Sequence, residues 1–139
     1  MIRRGKAHVA GAAAGEALVL TAPLSFWGGV EVETGRIIDA SHPQRGECVA
    51  GRILVMSSGR GSSSSSSVLA EAIRLGRAPR AIVTARADPI LIVGAIVAHS
   101  LYGLSCPIIV CPIEGIATGD RLSIQVRSES EAEVSREPL

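Results

Sequence analysis

The stretch Ser57-Ser-Gly59-Arg60-Gly61-Ser62-Ser63-Ser-Ser-Ser-Ser67 concentrates the residues that could do chemistry. A serine hydroxyl is a feeble base, and it abstracts a proton only where its alkoxide is stabilised. A helix N-terminus, adjacent backbone N–H groups and a guanidinium can supply that stabilisation, and Arg60 stands beside the serines. The same groups can hold a phosphate or a carboxylate. The loop thus suits proton abstraction or anion binding. By itself it completes neither, because it brings no metal and no acid for a leaving group.

Other readings of the stretch are weaker. A Walker A loop ends in Gly-Lys-Ser/Thr, and no lysine is present here. Gly59-x-Gly61 begins a dinucleotide fingerprint, but Ser64 stands at its third glycine position. A flexible serine-rich linker is the plainest alternative. Strong apolar periodicity resumes at once on both sides, which argues against it. Ser62, His42 and Asp39 or Asp88 could be composed into a triad, yet no nucleophile elbow accompanies them. Cys106 and Cys111 lie five apart on an extended run, so they should face opposite sides as buried, inert thiols. His8, His42 and His99 have no ligand spacing, and His42, before Pro43 in a loop, is the one expected to be exposed.

To present such a loop the chain needs a rigid element on each side. Residues 47–56 read as a strand that delivers it, and residues 68–75 as an amphipathic helix that carries the chain away, with Gly76 at the C′ position. Upstream, residues 6–10 and 16–20 read as strands, residues 30–32 and 36–40 as two more around a Thr34-Gly35 turn, and residues 41–46 as a loop. Downstream, residues 80–85 form a buried strand. Asp88 and Pro89 then open a helix to about Leu101 that is apolar almost all round, and so expected to be buried. Gly103 ends it. Residues 107–111 and 121–126 complete the strands, leaving residues 1–127 as a single domain and 128–139 as a polar tail expected to fray. The front third suggests a barrel-like or sandwich-like β layer, and the back half a βαβαβ succession, giving an α/β fold.

Composition narrows the partners. A net charge of +1 gives no electrostatic footprint for nucleic acid. The longest apolar run, residues 89–97, is too short to span a bilayer. Three cysteines with no signal-peptide pattern point to a reducing cytoplasm rather than a disulfide framework. Only one Phe, one Trp and one Tyr occur, so the core must be built from Val, Ile, Leu and Ala. Two of those aromatics, Phe26 and Trp27, precede Gly28 and Gly29 in a loop. They read as a plug over one end of the core, with a pocket wall or partner contact as the alternative.

Several motifs in one order carry a resemblance. Pro23-Leu-Ser-Phe-Trp-Gly-Gly29, Thr34-Gly-Arg-Ile-Ile-Asp39, His42-Pro43 with Gly46, Gly51-Arg-Ile-Leu-Val55, Gly59-Arg-Gly-Ser-Ser63, Ala78-Pro79 and Gly94-Ala-Ile-Val-Ala98 together resemble the swivel-domain small subunit of the aconitase X family. The resemblance covers nearly the whole chain. It implies a swivelling β/β/α domain, a barrel-like β layer packed with helices, docked as a heterodimer on a larger subunit. That subunit is expected to hold a 4Fe-4S iron–sulfur cluster, whose iron would accept a departing hydroxyl; this chain binds no metal in that reading. Gly61-Ser62-Ser63 is similar to aconitase's Gly-Ser-Ser-Arg motif, which implies Ser62 as the proton acceptor. Ser64 stands where aconitase has arginine, so Arg60, Gly61 and Ser63 are the expected substrate contacts instead. Phe26, Trp27, Gly28, Gly29 and His42 are expected along the cleft or the subunit seam. The family implies a hydro-lyase, with phosphomevalonate dehydratase favoured and cis-3-hydroxy-L-proline dehydratase the alternative. A non-catalytic module holding a small anionic ligand is the competing class.

Overall fold

The computed structural model describes residues 1–128 and 131–137. Its centre is a closed seven-strand barrel in the order β1-β7-β6-β5-β2-β8-β9. In chain order these strands are β1 (Ile2–Val9), β2 (Ala13–Val19), β5 (Ile53–Met56), β6 (Ala81–Thr84), β7 (Ile108–Val110), β8 (Arg121–Val126) and β9 (Glu131–Arg136). A small antiparallel pair, β3 (Val30–Glu31) and β4 (Arg36–Ile37), stands apart. Helices α1 (Ser65–Arg74) and α2 (Pro89–Tyr102) follow β5 and β6.

Four consecutive barrel strands, β2, β5, β6 and β7, run parallel. Their carboxyl ends therefore share one rim, and the segments leaving β2, β5 and β6 gather there. In α/β sheets that is the edge where ligands bind. The remaining contacts, β7 with β1, β1 with β9, β9 with β8 and β8 with β2, are antiparallel and close the ring.

Alternation along the strands splits the core in two. Ala7, Ala17, Ile53, Val55, Ala81, Val83, Ile109, Leu122, Ile124, Ala132 and Val134 form one buried cluster. Their register partners across the strands match, as with Ile53 opposite both Ala17 and Ala81. A barrel of this size has room only for filling side chains, and four alanines in the cluster fit that limit. The other strand face contributes Leu18, Leu54, Met56, Ile82 and Ile108, which pack with Leu69 and Ile73 of α1, Leu91, Ala95 and Ala98 of α2, and Phe26. Gly94 lets the helices meet closely: a Cβ there would lie 2.7 Å from the Ser66 carbonyl oxygen.

Four sequence expectations need correction. Residues 47–56 yield only a four-residue strand from Ile53, because Gly51 turns the chain at φ 73° just before it. Helix α1 begins three residues earlier than the apolar periodicity indicates, since the serines themselves enter the helix. Helix α2 is not buried all round: Val93, Ile96, Val97, Leu101 and Tyr102 are exposed. Only the Leu91, Gly94, Ala95 and Ala98 side of α2 is buried, and with no Asp, Glu, Lys or Arg in the helix its other face is mostly apolar, with His99 and Ser100 exposed among those side chains. Finally, the polar tail is not frayed where it is described. Residues 131–136 are β9, with Ala132 and Val134 turned into the barrel and both neighbours hydrogen-bonded. Residues 129–130 and 138–139 of that tail lie outside the described residues. No helix among the described residues is long and apolar enough to cross a membrane.

Candidate functional site

The serine stretch lies on the rim just described, at the end of β5. From Ser62 the chain already coils, with Ser65 N–H donating to the Ser62 carbonyl at 3.0 Å and Ser66 N–H to that of Ser63 at 3.2 Å. Ser64 is the N-cap, but its side chain makes no capping bond. The Ser62 hydroxyl takes that role instead, its Oγ accepting the Ser64 N–H at 3.1 Å. Ser62 is otherwise exposed. An N–H aimed at a hydroxyl oxygen at a helix start favours negative charge on that oxygen.

Gly61 is required by its surroundings. Its φ is +94°, and a Cβ would fall 2.5 Å from Ser25 Oγ. The loop is thereby pressed against the segment after β2, where Leu24 pairs with Gly59 and its carbonyl accepts the Arg60 N–H at 3.3 Å.

A hollow of about 340 Å³ opens at this junction, lined by Ser25, Trp27, Gly28, Gly29, Asp39, Arg60, Gly61 and Ser62. Trp27 is 58% exposed, while Phe26 is fully buried beneath it. Arg60 is exposed and has no carboxylate within 4.0 Å among the described residues. Asp39 accepts hydrogen bonds from the Ser41 hydroxyl and N–H, which hold its carboxyl below the usual range, and the Arg60 guanidinium adds to that. A second hollow of about 250 Å³ lies on the far side of Arg60 and Gly61, toward Asp88, Pro89 and Leu91. A larger one of about 500 Å³, over Arg4, Arg127 and Glu133, involves none of these residues.

The structure thus gathers Ser62, Gly61, Arg60, Trp27, Gly28 and Gly29 around one space. Ser63 is exposed beside it but does not line it. Phe26 serves the core and touches only the second hollow. His42 corrects an expectation: it is 6% exposed, with Nε2 at 3.0 Å from the Ala22 carbonyl and Nδ1 accepting the Gln44 N–H at 3.0 Å. With Nδ1 an acceptor, the ring is the Nε2–H tautomer and donates to Ala22. Both nitrogens are spent on backbone, so His42 cannot relay a proton for Ser62. Asp88 is spent as well, capping α2 through Ile90 N–H and Leu91 N–H.

With the geometry in view, the whole-chain comparisons decide the family. The aconitase X swivel domain matches residues 2–134. This chain belongs to that family.

Its swivel fold superposes on a crystal structure of Thermococcus kodakaraensis aconitase X in the holo-form with a TM-score of 0.88, at 33% identity and covering 99% of each chain. Among curated relatives it is 39% identical to a phosphomevalonate dehydratase small subunit of Thermococcus gammatolerans, over 94% of this chain and 95% of that one. It is 51% identical to a cis-3-hydroxy-L-proline dehydratase of Pseudomonas aeruginosa over 72% of this chain, which is 17% of that enzyme's length. The chain spans less than a fifth of the hydroxyproline dehydratases it matches.

The thiols of this swivel domain do not fit a metal cluster. Cys106 and Cys111 lie in separate core clusters on opposite strand faces, and Cys48 is in the loop after β4. Burial pushes the Cys106 thiol up to about 12 and the Cys111 thiol up to about 11. No group of three or more His, Cys, Asp or Glu among the described residues is placed to hold a metal ion.

Asp39, weighed in the sequence only as a triad member, lines the hollow instead. Sequence reasoning missed two side chains. Ser25 and Ser65 were indistinguishable from their neighbours, because what separates them is burial and partners rather than residue type.

Proposed function

We propose that this chain is the small subunit of an aconitase-type hydro-lyase that converts (R)-5-phosphomevalonate to trans-anhydromevalonate 5-phosphate and water. The observation that carries this reading is Ser62: an exposed hydroxyl at the start of α1, its oxygen accepting an N–H, in a hollow shared with the Arg60 guanidinium, which has no carboxylate within 4.0 Å among the described residues. Ser62, as its alkoxide, takes the proton alpha to the carboxylate. The electron pair left on that carbon forms the new double bond, and the neighbouring carbon–oxygen bond breaks to release the hydroxyl. Arg60 and the first-turn N–H groups lower the cost of the serine anion and attract the substrate's negative groups. We place an iron–sulfur cluster on a larger partner subunit, where it would supply Lewis acidity to the departing hydroxyl. The end-to-end match to a named small subunit supports that division of labour.

A second substrate is favoured by one observation. The Asp39 carboxylate in the hollow would pair with the ring ammonium of cis-3-hydroxy-L-proline. Anaerobic co-purification with a larger subunit, followed by assays on both hydroxy acids, separates the two. Ser62→Ala should lower kcat by about 100- to 10,000-fold, the usual contribution of a positioned base, with subunit association intact. Near-parental kcat removes Ser62 from the chemistry. Tight binding of a phosphate ester by this chain alone, in calorimetry, would instead favour an anion-binding module.

A further inference from the structure

Ser65 is the one buried member of the six-serine run, at 2% exposure. Its Oγ accepts the Trp27 N–H at 3.0 Å and lies 3.3 Å from Ser25 Oγ. Ser25 Oγ donates to the Trp27 carbonyl at 2.9 Å. With the Ser25 proton committed there, the Ser65 hydroxyl donates to Ser25. The three bonds close a ring in which each hydroxyl donates once and accepts once, and both backbone groups of Trp27 are held. Ser25 also fills the space a Cβ on Gly61 would need. The ring therefore fastens the aromatic segment and the Gly61–Ser62 turn to the same point behind the hollow. Phe26 anchors the segment below, so the Trp27 backbone is held where that residue lines the hollow together with Ser62.

We propose that Ser65 and Ser25 are positioning residues, whose hydrogen-bonded ring fixes Trp27 and Gly61 as the walls that place a substrate against the Ser62 hydroxyl. The proposal rests on Ser62 as proton acceptor. Neither hydroxyl needs to touch substrate. Misplacing a reacting group by about 1 Å costs on the order of 100-fold in rate, so a loosened wall should be felt in turnover.

The test pairs a structural readout with a kinetic one in Ser65→Ala, Ser25→Ala and the double variant. In this chain, amide hydrogen exchange by NMR should show the Trp27 N–H exchanging about tenfold faster or more in Ser65→Ala, while β5 and β6 amides keep their protection. In the enzyme assembled with its larger subunit, each single variant should lower kcat by about tenfold or more. The double variant should be no slower than the worse single one, because a ring opened once is already open. Unchanged Trp27 exchange in Ser65→Ala overturns the proposal. So does kcat within about twofold of the parent once that amide is released, or losses that multiply in the double variant. Should the parent enzyme act on neither hydroxy acid, the dehydratase reading falls alone, and the exchange measurement still decides whether Ser65 holds Trp27.

Discussion

Ser62 and Ser65 are one helical turn apart and chemically identical, yet one is open to solvent with an N–H on its oxygen and the other is sealed. Residue type drew attention to the run, and the family motif singled out Ser62; only the fold distinguishes the two by what covers them. The histidine expectation failed for a related reason. A loop position suggests exposure, but His42 is drawn under by two backbone partners that no local pattern announces. The thiols were more legible, since five-residue spacing on an extended run dictates opposite faces. They also yield a clean prediction. Cys106 and Cys111, raised from an ordinary 9.0 by desolvation, should stay unlabelled by iodoacetamide in the native protein at pH 8 and react on unfolding, as read by mass spectrometry. A raised folded value favours the protonated thiol, so their share of stability is complete below about pH 9 and lost as pH climbs through 11 and 12. Asp39 runs the other way. Its lowered carboxyl contributes above the ordinary value of 3.8 and ceases to as pH falls below it.

At the scale of elements, helix signals were the easier ones to read. Asp88, Pro89 and Gly103 mark both ends of α2, and Gly76 the end of α1. The start of α1 was hidden because serine is a poor marker once it repeats: six caps in a row specify no single one. Asp88 offers a test that joins an element to the site. Its carboxylate caps α2 and also lies where a Cβ on Gly59 would sit, 2.2 Å from Oδ2. Asp88→Ala should cost about 0.5–2 kcal/mol in urea unfolding, the usual worth of an N-cap. It should also quicken amide exchange across Gly59–Gly61, whereas a cap serving α2 alone would leave that loop unchanged.

At the scale of the whole molecule, the β-rich front and βαβαβ back were visible in the sequence, but ring closure was not. Closure depends on β9, whose Glu131-Ala-Glu-Val-Ser-Arg136 reads as polar because its alternate residues face out, while Ala132 and Val134 face in. Pairings such as Ile2 with Ser135 join opposite ends of the chain, a separation that periodicity cannot bridge. Removing residues 128–139 should open the barrel between β1 and β8. A broad, weakly cooperative thermal transition is then expected by circular dichroism, and a sharp parental one would show β9 to be dispensable.

That same pairing of Ile2 with Ser135 sets the first and last strands of the ring flank to flank, running in opposite directions. Whatever polypeptide is spliced ahead of β1 or behind β9 must therefore join at one shared doorway, and swapping it from front to back leaves the serine rim facing as before. A ring closed by the pairing of β1 with β9 tolerates added polypeptide beside either strand without a change to its interior.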